Sequence, residues 1–254
     1  MSDPASIAAA GGTSIDGSPA LAVDGVRATI TLRRPAEHNR IDPDDIGVVM
    51  EHLDAVERQP GVALLVLTGS GTKTFCSGYT IEAIQSRLDY RFESMLDRIE
   101  SLPMPTLCAL NGSVYGGGTD LALCCDFRIG VHGSRMFMPA ARFGLHYYVG
   151  GLRRFVDRLG PVQTKKIFMT AKAIEAAEML RIGYLTELVA RGVLEQTVAA
   201  YETAIAECEP GVVRSMKRHI DGLARGTWTE RQGREAYETS LRSKELADRL
   251  ASRK

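Results

Sequence analysis

The chain has no charge of either sign to spare: 31 Lys and Arg balance 31 Asp and Glu over 254 residues. Without a basic excess there is no electrostatic footprint for nucleic acid, and without an acidic excess there is no solvating tail. Long hydrophobic runs are also missing, and none approaches the ~20 apolar residues that a membrane-spanning helix needs. The first residues, Met1 to Pro19, are small and polar. They lack the basic start and apolar centre of a signal peptide and read as a disordered leader. Cysteines are few and odd in number (Cys76, Cys108, Cys124, Cys125 and Cys208), lie mostly in apolar surroundings, and fit no zinc spacing. They read as reduced, small core residues of a cytoplasmic protein, not as a disulfide framework or a metal site. What is present is ordinary for a soluble enzyme, 44% hydrophobic and 24% charged, enough for a sizeable core.

The order of elements points to an α/β fold. Ala20–Val23 and Val26–Leu32 read as strands about an Asp24-Gly25 turn. Val26, Ala28, Ile30 and Leu32 alternate with polar residues, as in a strand with one wet face. Asp42-Pro43 reads as a helix start with Pro at its first position. Ile46, Val49, Met50, Leu53 and Val56 supply its apolar stripe. Val62–Gly69 is a continuous apolar run ending in glycine, the pattern of a strand buried on both faces. Thr106–Leu110 and Phe127–Ile129 read as further strands. From Gly160 onward helices dominate: 162–170, 174–182, 194–206, 212–225 and 229–252. The expected division is a leader at 1–19, an α/β core at 20–190 and a helical region at 191–254.

Two glycine-bearing turns follow two of the buried strands. The first, Gly69 to Thr80, lacks the Gly-x-x-x-x-Gly-Lys-Ser/Thr spacing of a nucleotide loop. The second, Asn111 to Asp120, places Gly116, Gly117 and Gly118 ahead of an apolar helix. Absence of Cβ allows a sharp turn and close approach of another molecule. A helix start also leaves unpaired N–H groups at the positive end of its dipole, a setting for an oxygen that gains negative charge. In a layered α/β fold two such turns often meet at the carboxyl edge of the sheet. One N–H from each can then grip one carbonyl oxygen. Asp120, on the first helical turn, can serve there as a general acid or base, or simply cap the helix.

These segments resemble the crotonase (enoyl-CoA hydratase/isomerase) family. Phe75-Cys76-Ser77-Gly78-Tyr79-Thr80 is similar to its Phe-x-Ala-Gly-Ala-Asp segment, and Asn111 to Ala122 to its Asn-Gly-x-x-x-Gly-Gly-Gly-x-Glu-Leu-Ala. Cys125-Asp126-Phe127 and Gly183–Val189 extend the likeness, which runs from about residue 21 to about 225. The resemblance implies stacked ββα turns followed by helices that assemble as a homotrimer or a hexamer. It implies an acyl-CoA thioester substrate, with coenzyme A as part of the substrate and no separate cofactor or metal. It assigns the oxyanion-holding amides to Tyr79 and Gly117 and puts the backbone around Ser77 and Gly78 near the CoA. It also makes Arg40 and Lys217 candidates for the CoA phosphates.

The chain departs from the family at the acids. Hydratases of this family use two carboxylates. The first falls on Asp120, about 1.5 Å shorter than Glu by one carbon–carbon bond. The second falls on Ala140, within Phe137–Gly144, and alanine has no proton to give. His146, Tyr147 and Tyr148 are the nearby groups able to move or donate a proton, and Arg142 can bind a substrate carboxylate or lie in a subunit contact. The expected activity is hydration of a 2-enoyl-CoA. The alternatives are decarboxylation, C–C or thioester hydrolysis, or acyl-CoA binding without chemistry.

Overall fold

The computed structural model describes residues 17–252. Of the expected leader, residues 1–16 lie outside the described residues, but its last three do not belong to a loose segment. Ser18 is buried, its hydroxyl donates to Asp45, and its carbonyl accepts from Arg33 Nε at 2.6 Å. The Gly17 carbonyl accepts from Arg34 Nη1 at 2.9 Å. Two arginines just after the first hairpin, Arg33 and Arg34, thus hold the chain in place.

Strands β1 (Ala20–Asp24) and β2 (Arg27–Leu32) form the expected antiparallel hairpin. Asp24 pairs with Arg27, so the loop is Gly25-Val26, one residue later than the sequence suggests. Helix α1 (Asp45–Glu57) begins two residues after Pro43, which therefore precedes the helix and does not open it. Then come β3 (Leu64–Gly69), β4 (Thr74–Cys76), α2 (Ile84–Arg87) and α3 (Tyr90–Glu100). Next are β5 (Thr106–Leu110), β6 (Ser113–Tyr115), α4 (Gly117–Leu123), β7 (Phe127–Val131) and β8 (Arg135–Phe137). The chain continues through α5 (Val149–Thr170), β9 (Ile174–Glu175), α6 (Ala176–Arg181) and β10 (Glu187–Val189). It closes with α7 (Leu194–Ala206), α8 (Pro210–Ala224), α9 (Glu230–Leu241) and α10 (Lys244–Ala251).

The strands make two sheets. One has the order β1-β2-β3-β5-β7-β10, parallel except for β1; the other is β4-β6-β8-β9, parallel except for β9. Each strand of the inner run, β3, β5 and β7, leads at its carboxyl end into a short strand of the second sheet, and then into a helix or helical turn. This is the stacked ββα repeat that the family resemblance implies. The arrangement brings the turns after β4 and β6 side by side, because β4 and β6 are hydrogen-bonded neighbours.

Local chemistry explains the differences from the sequence reading. Helix α3 was not anticipated, yet Asp89 caps it by accepting from Arg91 N at 2.9 Å. It buries Phe92, Met95, Leu96 and Ile99, an i, i+3, i+4, i+7 stripe. Helix α5 begins at Val149, well before the expected 162, and breaks at Gly160 (φ 76°), just before Pro161. Residues 229–252 are two helices, not one, because Ser243 caps α10. Four cysteines are buried as expected, while Cys208 is exposed. Among the described residues, no helix is long and apolar enough to cross a membrane.

Candidate active site

Phe75 and Cys76 of β4 are completely buried, which anchors the chain just before it turns at Ser77 and Gly78. Gly78 has φ +88°, and a Cβ built on it would sit 2.4 Å from the Gly117 nitrogen. Only glycine permits this approach, in conformation and in space. From the other side, Gly116 N donates to the Phe137 carbonyl at 2.8 Å, and α4 starts at Gly117. The two turns are therefore in backbone contact. Gly78 O accepts from Ile41 N (2.8 Å) and Thr80 N donates to Ile41 O (3.1 Å). The intervening Tyr79 N–H, like that of Gly117, enters none of the turn and loop hydrogen bonds among the described residues.

A cavity of about 500 Å³ opens beside this junction, within the ~300–1,000 Å³ usual for small-molecule sites. Ser77, Tyr79, Gly116 and Gly117 form one wall; Ile84, Leu88, Phe92 and Glu93 a second; and Phe137, Met138, Ala140, Leu145, His146, Tyr147 and Tyr148 a third. In a chain with only 7 Phe, 8 Tyr and 1 Trp, eight aromatic residues line this one space: Tyr79, Tyr90, Phe92, Tyr115, Phe137, Phe143, Tyr147 and Tyr148. The Tyr79 ring meets Phe92 edge-on at 5.5 Å, while its hydroxyl donates to the Arg87 carbonyl at 2.8 Å. That tyrosine is pinned at both ends, which fixes its backbone amide.

Asp120 is not where a reacting acid belongs. It is fully buried and does not line the cavity. Arg154, itself 0% exposed, grips it with Nε on Oδ1 at 2.8 Å and Nη2 on Oδ2 at 3.2 Å. Tyr147 donates to Oδ2 at 3.1 Å, and the Tyr148 hydroxyl donates to the same oxygen. Both phenols have pKa values well above the usual tyrosine range, first through burial and then through the Asp120 charge, so they remain donors. The carboxylate expected to face the reacting group instead ties α4 to α5 and holds the two tyrosines of the cavity wall. Gly151 makes room for the cluster, since a Cβ there would lie 2.3 Å from the Tyr147 ring and 2.7 Å from Asp120 Oδ2.

The other sequence candidates separate in space. His146 lines the cavity, and its Nδ1 donates to the Tyr147 carbonyl at 2.8 Å. Arg142 stacks over the Phe137 ring at 5.1 Å and stays exposed. Arg40 is committed to Glu37 (2.6 Å) and Asp42 (3.0 Å). Lys217, expected at the CoA phosphates, is instead largely buried: its Nζ lies 2.6 Å from Asp126 and 3.0 Å from the Met104 carbonyl. It fastens α8 to the start of β7.

Two residues escaped the sequence reading. Arg154 is the partner of Asp120, 34 residues away in sequence. Glu93 lines the cavity from α3. Burial raises its carboxyl above the usual Glu range, with Asp97 and Asp120 adding to the shift and Arg154 opposing it. The Asp89 cap followed by apolar residues at helical spacing was the available signal for α3 and hence for Glu93.

A model of the enoyl-CoA hydratase/isomerase family matches residues 24–245. The chain belongs to the enoyl-CoA hydratase/isomerase family. The crotonyl-CoA hydratase of Syntrophomonas wolfei is 34% identical over 169 residues, covering 64% of this chain and 65% of that one. The short-chain-enoyl-CoA hydratase of Clostridium acetobutylicum is 28% identical over 205 residues, covering 78% of each. The crystal structure of the Bacillus anthracis enoyl-CoA hydratase superposes with a TM-score of 0.85 over 92% of this chain and 95% of that one. At 23% identity that last likeness is one of fold. The enoyl-CoA hydratase/isomerase family therefore supplies the architecture, and the local chemistry has to be read from this chain's own residues.

Proposed function

We propose that this protein acts on an acyl-CoA thioester and hydrates a 2-enoyl-CoA whose acyl group is apolar and bulky. The observation that carries this reading is the contact of two glycine turns at the cavity, where a Cβ on Gly78 would strike the Gly117 nitrogen. The N–H groups of Tyr79 and Gly117 hold the thioester oxygen as it gains charge on the way to an enolate. Such fixed donors need little reorganisation, and loss of one costs roughly 10²–10³ in rate. Ser77 and Gly78 lie on the path of the CoA arm. The eight aromatic residues around the cavity favour an acyl tail with a ring or a long apolar chain over a four-carbon one.

The test is hydration of crotonyl-CoA, a long-chain enoyl-CoA and cinnamoyl-CoA by wild type and Gly78→Ala, followed by loss of the enoyl-thioester absorbance. The reading expects turnover that is best with the larger acyl groups and at least about 100-fold lower in the variant. Equal turnover by both proteins would remove the two-amide site.

A second reading, a divergent decarboxylase or hydrolase, draws on Ala140 at the cavity wall and on the free Nε2 of His146. Malonyl-type and β-keto thioesters in the same assay discriminate it, and binding without any turnover marks an acyl-CoA-binding protein. Apolar side chains left exposed on α8 and α9, among them Met216, Ile220, Leu223 and Tyr237, support assembly into a homotrimer or hexamer, which sedimentation velocity measures.

A further inference from the structure

If Asp120 is consumed by Arg154 and Ala140 carries no proton, the reaction needs an acid/base group from elsewhere. Two carboxylates line the cavity among the described residues, Asp89 and Glu93. Asp89 is occupied: it caps α3 through Arg91 N (2.9 Å) and pairs with the Arg91 guanidinium (2.9 Å). No hydrogen bond or ion pair among the described residues engages the Glu93 carboxylate. Glu93 shares the cavity with the junction of the two turns, formed there by Tyr79, Gly116 and Gly117. Its neighbour Phe92 packs against Gly117, where a Cβ would approach the Phe92 ring to 3.0 Å.

We propose that Glu93 is the catalytic acid/base of this site, in place of the family's carboxylate position at Asp120. The assignment rests on the acyl-CoA reading above and adds the identity of the proton carrier. In hydration, the Glu93 carboxylate takes a proton from water as the water oxygen bonds to Cβ. The C=C electron pair shifts toward Cα and the thioester oxygen, giving the enolate. The same carboxyl then returns the proton to Cα as the enolate collapses. The net change is addition of H and OH across the double bond, with H and OH arriving from one face.

The surroundings suit a carboxyl that must both take and give a proton. Burial favours its protonated form, and so do the like charges of Asp97, one turn further along α3, and of Asp120 on α4. Arg154 on α5 opposes them but is already spent on Asp97, Glu100 and Asp120. His146, Tyr147 and Tyr148 face the cavity from the segment before α5, and Tyr115 from β6. A base with this environment loses activity, as pH falls, at a point above the ordinary Glu value of ~4.3.

The experiment compares wild type, Glu93→Gln, Glu93→Asp and Glu93→Ala. Acyl-CoA binding is read by calorimetry, hydration by loss of the enoyl absorbance, and solvent deuterium entry at Cα by mass spectrometry. The expected result is unchanged binding in all four proteins, with hydration and exchange reduced ~10²–10⁴-fold in Glu93→Gln. The acidic limb of kcat/KM present in wild type should be missing from Glu93→Gln, and Glu93→Ala should be partly rescued by formate. Glu93→Asp should fall between wild type and Glu93→Gln. Hydration by Glu93→Gln within about twofold of wild type, with the same acidic limb, overturns the assignment while leaving the acyl-CoA reading intact. A wild type that binds acyl-CoA but neither hydrates nor exchanges overturns Glu93 and the reaction but not the binding. Absence of acyl-CoA binding overturns both readings together.

Discussion

Replacing Arg154 by methionine should destabilise the protein through the buried Asp120 carboxylate, with no contact to substrate removed directly. The guanidinium and the Asp120 carboxylate are both 0% exposed, and among the described residues Arg154 supplies two of the four hydrogen bonds that reach Asp120 from other side chains. Asp97 is 59% exposed, so its share is small. Glu100 keeps Arg153 at 2.6 Å and Arg225 at 3.0 Å, and is not orphaned. The loss therefore concentrates on Asp120. Breaking a buried pair by removing one partner costs about 3–5 kcal/mol. Because Tyr147 and Tyr148 still donate to the stranded carboxylate, the lower end, about 3 kcal/mol, is expected. For a chain of this size that corresponds to a drop of about 6–12 °C in Tm. Urea denaturation followed by circular dichroism measures the free energy. The double variant Asp120→Asn/Arg154→Met removes the stranded charge but keeps an acceptor for the tyrosines, and should be more stable than Arg154→Met alone. A loss under about 1 kcal/mol for Arg154→Met would refute the structural role of the pair, and so would a double variant that simply adds the two single losses.

Other expectations follow from single contacts. Lys217→Met should lower stability by breaking the bridge to Asp126, yet leave KM for an acyl-CoA within about twofold; a large rise in KM would return Lys217 to the CoA phosphates. Gly151→Ala should reduce stability because its Cβ meets the Tyr147 ring and Asp120 Oδ2, and a gain, as expected of Gly→Ala in an open helix, would contradict the packing. Burial pulls the Glu100 carboxyl pKa up, but Arg153, Arg225 and Arg154 outweigh it and hold the group below the usual Glu range. Its stability contribution is present above the unfolded value of ~4.3 and is lost as pH falls through the lower folded value. Unfolding free energy measured from pH 6 to pH 3 should decline, and Glu100→Gln should flatten that decline; an unchanged slope would remove Glu100 from the acid response.

The glycine turns were legible in the sequence because a turn in backbone contact with another tolerates no side chain, and that need is written directly as Gly78 and Gly116–Gly118. The buried strand Leu64–Gly69 was legible for a similar reason, as an unbroken apolar run. The fate of Asp120 was not. It depends on Arg154, which α5 carries from a segment whose Gly150-Gly151 start reads as loop. Helix α3 was hidden by the short irregular stretch before it, although Asp89 and the apolar spacing of Phe92 to Ile99 marked it. Missing α3 also meant missing Glu93. The second sheet, built from strands of two or three residues, left no periodicity long enough to read. Lys217 reads from the sequence as a candidate for the CoA phosphates, because nothing local shows that Asp126 lies beneath it.

In the proposed function, two amides from separate turns polarise one thioester oxygen. Its most direct test is the infrared carbonyl stretch of a carbonyl-¹³C-labelled saturated acyl-CoA, free and bound. Binding to wild type should shift the stretch clearly to lower frequency, and the shift should disappear in Gly78→Ala that still binds the ligand. A bound thioester carbonyl with its solution frequency in wild type, or with the same shift in both proteins, would contradict it.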